Sequence, residues 1–538
     1  MRSRAIAQNP RRILCVFPRY TPSFGTFEHA YKLMGVRAFM PPQGILLIAA
    51  YLPERWEVRF VDENVRATRD RELDWADAVF VSGMHIQRQA MLDIARRAHA
   101  HGKVCALGGP SVSASPELYP EFDYLHIGEV GDATDVLIAT LDRNTGRPPA
   151  QRRFETAERL PMSDFPIPAY HLIDGGQYML GSVQFSSGCP YRCEFCDIPA
   201  LYGRQPRLKE PKQILAELDA ILARGPIGAI YFVDDNFIAN RKAARDLLPH
   251  LIAWQKTRGY PVRFACEATL NIARQPELLE LMREAYFTTV FCGIETPELA
   301  ALGAMSKEHN LALPLLEGVE ILNRHGMEVV SGIILGLDTD TPETAAHINE
   351  FVDASQIPLL AINLLQALPR TPLWDRLKGA GRLVDDPALE SNVAFLRPYE
   401  DVLESWRQCV RHAYRPEAVY ARFDHNARHT FPNRIKLPVT RARLNWPNIR
   451  KALTCLSNIF LHVGILADYR RTFWRMARPA LREAQIEELI HIALVSHHLI
   501  TYARECERGQ QMASNYAVRA AAQGRPGRRK ALTGTPAV

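Results

Sequence analysis

The sequence predicts an α/β protein in three parts: a doubly wound parallel domain at the N-terminus, a partial TIM-type (β/α)6 barrel in the centre, and a helical C-terminal domain. Three observations carry that expectation. Up to about residue 145, five short apolar runs alternate with stretches of helical periodicity; further on, a strand-helix unit recurs about six times; from about residue 385 the strand signal stops. A chain of 538 residues is also too long for one core. The boundaries expected are a first domain over 1–145, a linker rich in Arg and Pro over 146–175, the barrel over 176–384, the helical domain over 385–520 and a disordered tail over 521–538.

In the first part, the runs 12–18, 56–62, 77–84, 103–110 and 123–129 read as buried strands, and 45–52 and 90–101 as helices between them. Strands alternating with helices argue a parallel sheet, which binds ligands at the carboxyl ends of its strands. Those ends carry Ser82-Gly83-Met84-His85-Ile86-Gln87, Gly108-Gly109-Pro110-Ser111 and Gly128-Glu129. Gly108 and Gly109 let backbone approach a ligand closely, because neither has a side chain.

In the central part the strands are 182–186, 227–233, 262–267, 289–294, 329–335 and 361–367. Parallel units of this kind close into a full or partial barrel whose chemistry sits at the C-terminal strand ends. Asp234 and Asp235 stand at one such end. A carboxylate pair there can belong to a site or cap the following helix.

The C-terminal part reads as helices over 400–414, 448–466, 469–476 and 486–507. Its most apolar piece, 452–466, falls short of the ~20 residues needed to span a bilayer. It is read first as a core helix. Arg441, Arg443, Arg450 and Lys451 before it, and Arg470, Arg471, Arg475 and Arg478 after it, leave a helix lying on an anionic membrane surface as the alternative. His491, His497 and His498 have no Cys or acidic partner at ligand spacing, so they are read as ordinary hydrogen-bonding histidines.

The net charge of +6 is modest for this length and does not point to nucleic acid. Residues 1–12 are polar and basic, without the apolar core of a secretion signal, so a cytoplasmic setting is expected. The ten cysteines are then expected reduced. Seven are scattered. Three fall together in Ser187-Gly188-Cys189-Pro190-Tyr191-Arg192-Cys193-Glu194-Phe195-Cys196-Asp197, with spacers of three and two residues. Thiolates suit zinc and iron-sulfur clusters, but a structural zinc site closes four ligands and no second pair stands nearby. Three ligands on one loop would leave one iron of a 4Fe-4S cluster open.

The motif CxxxCxxC with an aromatic before its last cysteine resembles the cluster loop of radical S-adenosylmethionine (SAM) enzymes. The preceding domain resembles the cobalamin-binding domain of the cobalamin-dependent branch, through Pro41-Pro42-Gln43-Gly44-Ile45, Val61-Asp62-Glu63-Asn64, Gly108-Gly109-Pro110 and Gly128-Glu129. A DxHxxG that would supply an imidazole to cobalt is missing; His85 is a candidate for that contact. Across almost its full length the chain is similar to the bacterial hopanoid C-2 methylases, above all in the run from Cys15 through Phe24, Phe27 and Tyr31 to Met40-Pro41-Pro42-Gln43-Gly44.

That resemblance implies a 4Fe-4S cluster on Cys189, Cys193 and Cys196, cobalamin near Gly108, Gly109 and Gly128, and SAM near Glu295, Gly332 and Gly336. It implies a methyltransferase acting on an unactivated carbon, most simply C-2 of a hopanoid, with SAM cleaved to a 5′-deoxyadenosyl radical. No residue of the chain is assigned as the catalytic acid or base. A flavodoxin- or ferredoxin-type electron donor and a peripheral membrane contact are the expected partners. Two other readings stay open: methylation of another lipid or natural product, and a radical SAM reaction that transfers no methyl group. A non-enzymatic iron-sulfur protein is the reading from a different class, separable by whether SAM is cleaved.

Overall fold

The computed structural model describes residues 9–386, 389–437 and 446–511. The expected tail 521–538, and Arg441 and Arg443, lie outside the described residues.

Strands β1 (Arg12–Phe17), β2 (Glu57–Asp62), β3 (Ala78–Ser82), β4 (Val104–Gly108), β5 (Tyr124–Ile127) and β6 (Arg152–Glu155) form one sheet in the order β2-β1-β3-β4-β5-β6, every pair parallel. In β1, Ile13, Cys15 and Phe17 face one apolar cluster while Leu14 and Val16 face the other. An interior parallel strand is covered on both faces in this way, which is why its sequence reads as continuous apolar rather than alternating. The strand order reverses between β1 and β3, and their carboxyl ends open a crevice there. All five expected strands are present. The sixth comes from the segment expected as a linker, which contributes β6 to the sheet edge.

Strands β7 (Gly181–Val183), β10 (Ala229–Phe232), β11 (Arg263–Glu267), β12 (Phe287–Glu295), β13 (Glu328–Leu335) and β14 (Leu359–Leu364) follow in strict neighbour order, all parallel. The edges β7 and β14 are unpaired with each other, so the barrel is partial. A two-stranded ribbon, β8 (Ser186–Ser187) with β9 (Arg207–Leu208), flanks the cysteine loop.

Among the described residues, five α-helices make up the C-terminal part: Tyr399–Ala413, Pro416–His429, Trp446–Ile459, Arg470–Arg482 and Ile486–Glu507. The second was not foreseen, because Arg422 and Asn426 are buried on its inner face and break the apolar period. The helix Trp446–Ile459 runs on into a π-helical turn, Phe460–Leu466. Its core-helix reading needs correction: Cys455, Ile459 and Val463 are buried, but Leu453, Leu461, Ile465 and Leu466 face outward.

The N-terminal arm leaves its own domain. Phe24 stacks on Tyr414 and meets Tyr502 edge-on, with ring centroids 4.7 and 4.6 Å away, and Phe27 lies 5.1 Å from His498. His498 donates from Nε2 to the carbonyls of Ser23 and Phe24. The two other histidines of the helix Ile486–Glu507 also make ordinary bonds, His497 to the Tyr469 hydroxyl and His491 to Glu328.

Candidate functional site

A cavity of about 410 Å³ opens at the carboxyl ends of β1, β3, β4 and β5, and residues of the second sheet complete it. Gly44, Gly83, Met84, Gly108, Gly109 and Gly128 line it from one side; Gln184, Ser187, Tyr202 and Val233 line it from the other. The glycines do different work. Gly109 has φ +99°, and a Cβ there would fall 2.7 Å from Ser82 Oγ. Gly128 has φ +97° with Thr156 Cβ at 3.1 Å. Both are required by the fold of their turns. Gly108 and Gly44 are different: a Cβ at Gly108 would meet nothing nearer than 3.9 Å, and one at Gly44 nothing within 4 Å. Their missing side chains leave room in the cavity itself, a cradle suited to a large flat ligand. His85 is not among the lining residues; Met84 is.

The cysteine loop starts from β8 at the rim of this cavity. Seven of the ten cysteines are buried, and only Cys189, Cys193 and Cys196 are partly open. Burial pushes all three thiols above their ordinary value, and Cys196 is raised further by Asp197, Cys193 and Cys189. Iron would therefore displace protons as it binds. Among the described residues no three ligand side chains converge on a point that one ion could occupy. A cluster makes no such demand, since each thiolate takes a different iron. Asn236 offers an independent fit: its Nδ2 is buried without a hydrogen-bond partner, and the amide favours the thiolate of Cys189.

The loop is held from several sides. Asp234 accepts from Phe185 N at 2.7 Å, Ser186 N at 3.0 Å and Ser186 Oγ at 2.8 Å, and Asp235 accepts from Gly188 N at 2.7 Å. These carboxylates shape the loop's entry. The following helix is capped instead by Asn240. At the exit, Leu373 N donates to Glu194 O, Arg376 pairs with the Glu194 carboxylate, and Phe195 packs on the cluster containing Leu365, Leu373 and Leu377.

Glu295 ends β12 with φ +69°, and its buried carboxylate pairs with Lys307. Burial opposes the Lys307 ammonium, but Glu295 and Cys193 outweigh it and raise the group above its ordinary value. Gly293 makes space for this pair, since a Cβ would lie 2.3 Å from Glu295 Oε1. Gly332 stands beside Gly293 in the β12–β13 register, with Glu295 Oε2 3.5 Å from where its Cβ would be. Gly336 sits farther along, with φ +91° and Phe395 filling its side-chain direction. The structure thus groups Glu295 and Gly332 near the triad and sets Gly336 against the C-terminal part.

Sequence reasoning missed Lys307, Asn236, and the pair Tyr191 and His309, whose rings stack at 3.9 Å while Asn271 donates to the Tyr191 hydroxyl at 2.7 Å. Lys307 and His309 share one segment, Tyr191 lies in the cysteine loop, and Asn236 follows β10, so only the fold brings them together.

Glu129 joins the two halves. From the end of β5 it pairs with Arg207 at 2.6 Å and Arg159 at 3.1 Å, and accepts from Ser187 Oγ two residues before Cys189. A second seam runs from Gln43, whose Nε2 donates to the Tyr170 hydroxyl and to Ser182 of β7.

The chain matches the B12 binding domain over residues 35–138, the Radical SAM superfamily over 183–352 and a domain of unknown function, DUF4070, over 371–512. It is 60% identical over 513 residues to the hopanoid C-2 methylase of Rhodopseudomonas palustris strain TIE-1, covering 95% of this chain and 97% of that protein. Among solved structures it resembles the cobalamin-dependent radical SAM enzyme OxsB, with TM-score 0.59 at 14% identity over 94% of this chain and 82% of that one. It also resembles the radical SAM methyltransferase TsrM from Kitasatospora setae, with TM-score 0.56 at 17% identity over 93% and 100%. Those two likenesses speak for the fold.

Proposed function

Because the chain belongs to the hopanoid C-2 methylase family of cobalamin-binding radical SAM enzymes, we propose that it methylates C-2 in ring A of a hopanoid. The chain is a radical SAM C-methyltransferase that uses a 4Fe-4S cluster, SAM and cobalamin. When bound, these groups supply one-electron cleavage of SAM and transfer of a methyl group, chemistry that side chains cannot perform on a carbon without an acidic proton.

The residues orient those groups. Cys189, Cys193 and Cys196 are proposed as cluster ligands, with Asn236 donating toward the first. Glu295 and Gly332 are proposed to line the SAM position, with Gly336 at its margin. Gly108, Gly109 and Gly128 are proposed to carry cobalamin in the cavity at the strand ends. In favour of this reading, Ser187 is both a wall of that cavity and the entry to the cysteine loop, so the two proposed sites adjoin. Glu129 keeps them in register through Arg207 and Arg159. The partly open loop, with Arg192 and Arg204 exposed beside it, suits an acidic flavodoxin- or ferredoxin-type donor. A hopanoid is a lipid, so the enzyme is proposed to work in the cytoplasm against the inner membrane face.

The observation that carries the substrate is the identity across nearly the whole of both chains. Its test is anaerobic expression, with cobalamin supplied, in a host that makes unmethylated hopanoids. Gas chromatography with mass spectrometry is expected to show a hopanoid one methylene heavier, with the added mass in ring A, and none with Cys193→Ala. An unchanged profile from well-expressed, cluster-loaded protein overturns the substrate.

A further inference from the structure

We propose that the helix Arg470–Arg482 and the apolar ridge beside it form a docking surface for an anionic phospholipid membrane, in which arginines hold a lipid phosphate while the ridge enters the acyl boundary. This rests on the lipid substrate proposed above and names the surface that would meet the membrane.

The ridge consists of Trp446, Ile449, Leu453, Leu461, Ile465 and Leu466, exposed by 69, 37, 54, 46, 61 and 64%. Their spacing keeps them on one side of the helix Trp446–Ile459 and its π-helical continuation. Large apolar side chains left open in a row mark an interaction surface more often than chance exposure. The stretch Ile449–Leu466 is long and apolar enough to cross a bilayer by length and composition, and only 22% of it is buried. Its inner side is nonetheless anchored. Asn458 Nδ2 donates to Leu33 O, Lys451 Nζ donates to Pro226 O, and Ile459 and Val463 are fully buried. Crossing the membrane would strip all of these contacts, whereas lying in its surface keeps them.

The ridge ends at a pocket of about 520 Å³ lined by Gly464, Arg470, Arg471, Trp474, Arg475 and Arg478. Its floor is fixed: Trp474 Nε1 donates to Gly464 O at 2.8 Å, and its ring stacks on Phe460 at 5.5 Å. Arg471, Arg475, Arg478 and Arg482 recur at helical spacing and are all exposed. Among the described residues none of these four makes an ion pair. Nearby acids are otherwise engaged, Asp468 with Arg504, Glu417 with the Thr472 hydroxyl and Glu483 with the Gln485 amide. Guanidinium groups bind phosphate oxygens in a planar, bidentate way, so a row of unpaired arginines beside apolar side chains matches a phospholipid at both its ends.

Other occupants fit less well. Nucleic acid or free phosphate would satisfy the arginines and leave the ridge in water. A second copy related by a two-fold axis would bury the ridge but bring the same arginine rows together.

The test uses the full-length, cluster-loaded protein and sedimentation with vesicles of phosphatidylcholine alone or with one-third phosphatidylglycerol. Binding is expected at least tenfold tighter to the anionic vesicles, and weaker as salt rises. The triple substitution Arg471→Gln, Arg475→Gln, Arg478→Gln should lose about tenfold, the corresponding lysine triple should retain most of the binding, and Leu461→Ser with Ile465→Ser should lose binding to both vesicle types. Equal binding to neutral and anionic vesicles, or wild-type binding by the glutamine triple, overturns the proposal. So does a concentration-dependent dimer, seen without vesicles and abolished by the ridge substitutions, or duplex DNA outcompeting the anionic vesicles at equal phosphate. Vesicle binding is read without a hopanoid present, so it stands or falls separately from the substrate.

Discussion

In the sequence Gly108 and Gly109 form one feature, and the structure separates them. Gly109 is held by its own turn, so any side chain there disturbs the loop whether or not a ligand binds. Gly108 is the informative position, because it lines the cavity and a Cβ there would meet nothing nearer than His126 Cβ at 3.9 Å. Gly108→Val is therefore expected to lose cobalamin, read as the ratio of its absorbance to protein, by at least tenfold while iron content and melting temperature stay near wild type. Undiminished cobalamin would remove the cavity from consideration. The triad was legible because three soft ligands at close spacing are rare by accident, and a glycine pair at a strand end has a physical reason of its own. Lys307 was not, because a lone lysine twelve residues beyond Glu295 says nothing until the chain folds back and buries it against that carboxylate. Asp234 was ambiguous for the same reason: cap and loop anchor look alike until the following helix is seen to use Asn240.

Strands were the most readable elements, since interior parallel strands advertise themselves as short apolar runs. What the pattern could not show was sheet membership for polar segments. The strand β6 has the burial pattern exposed, exposed, buried, exposed, and only its pairing with β5 identifies it. Buried polar residues hide the helix Pro416–His429 in the sequence, and for the helix Trp446–Ile459 apolar composition alone does not tell core from ridge. The N-terminal arm gives an element-scale prediction. Phe24 is 2% exposed between Tyr414 and Tyr502, so Phe24→Ala should destabilise the protein by about 3–5 kcal/mol, as removal of a buried aromatic does elsewhere. Because the partners lie in the C-terminal helices, chemical denaturation should show the loss in helical signal at those residues; a loss below about 1 kcal/mol would mean the arm is only loosely seated.

For the molecule as a whole, pH acts through two opposed sets of buried groups. Burial pushes Asp62 up to about 6 and Asp234 up to about 7, from an ordinary 3.8, so the folded chain holds protons that the unfolded chain releases. Stability from these groups falls as pH rises through about 4 to 7. Burial lowers His126 from 6.5 to about 4 and His498 to about 3, so these rings stay neutral when folded, and their effect has the reverse sign, with stability lost as pH falls below about 6.5. The signature is differential. In thermal melts of the cofactor-free protein, Asp62→Asn should gain on wild type from pH 5 to 7, and His126→Gln should gain from pH 7 to 5. Differences that stay flat across that range would show that neither group is protonated as its burial demands.

The arm has a consequence in time as well as in energy. Ser23 and Phe24 meet His498 across 475 and 474 residues of chain. A ribosome working at 5–20 residues per second needs about 25–95 s to make that stretch, and throughout it Ser23 and Phe24 lack their contact with His498. The first sheet can assemble early from its own residues, yet the segment between β1 and β2 must wait for the helix Ile486–Glu507. Slow or interrupted synthesis would thus leave a nascent chain with a formed N-terminal domain and an apolar flap, a form that chaperones would hold and that a truncated gene could never complete.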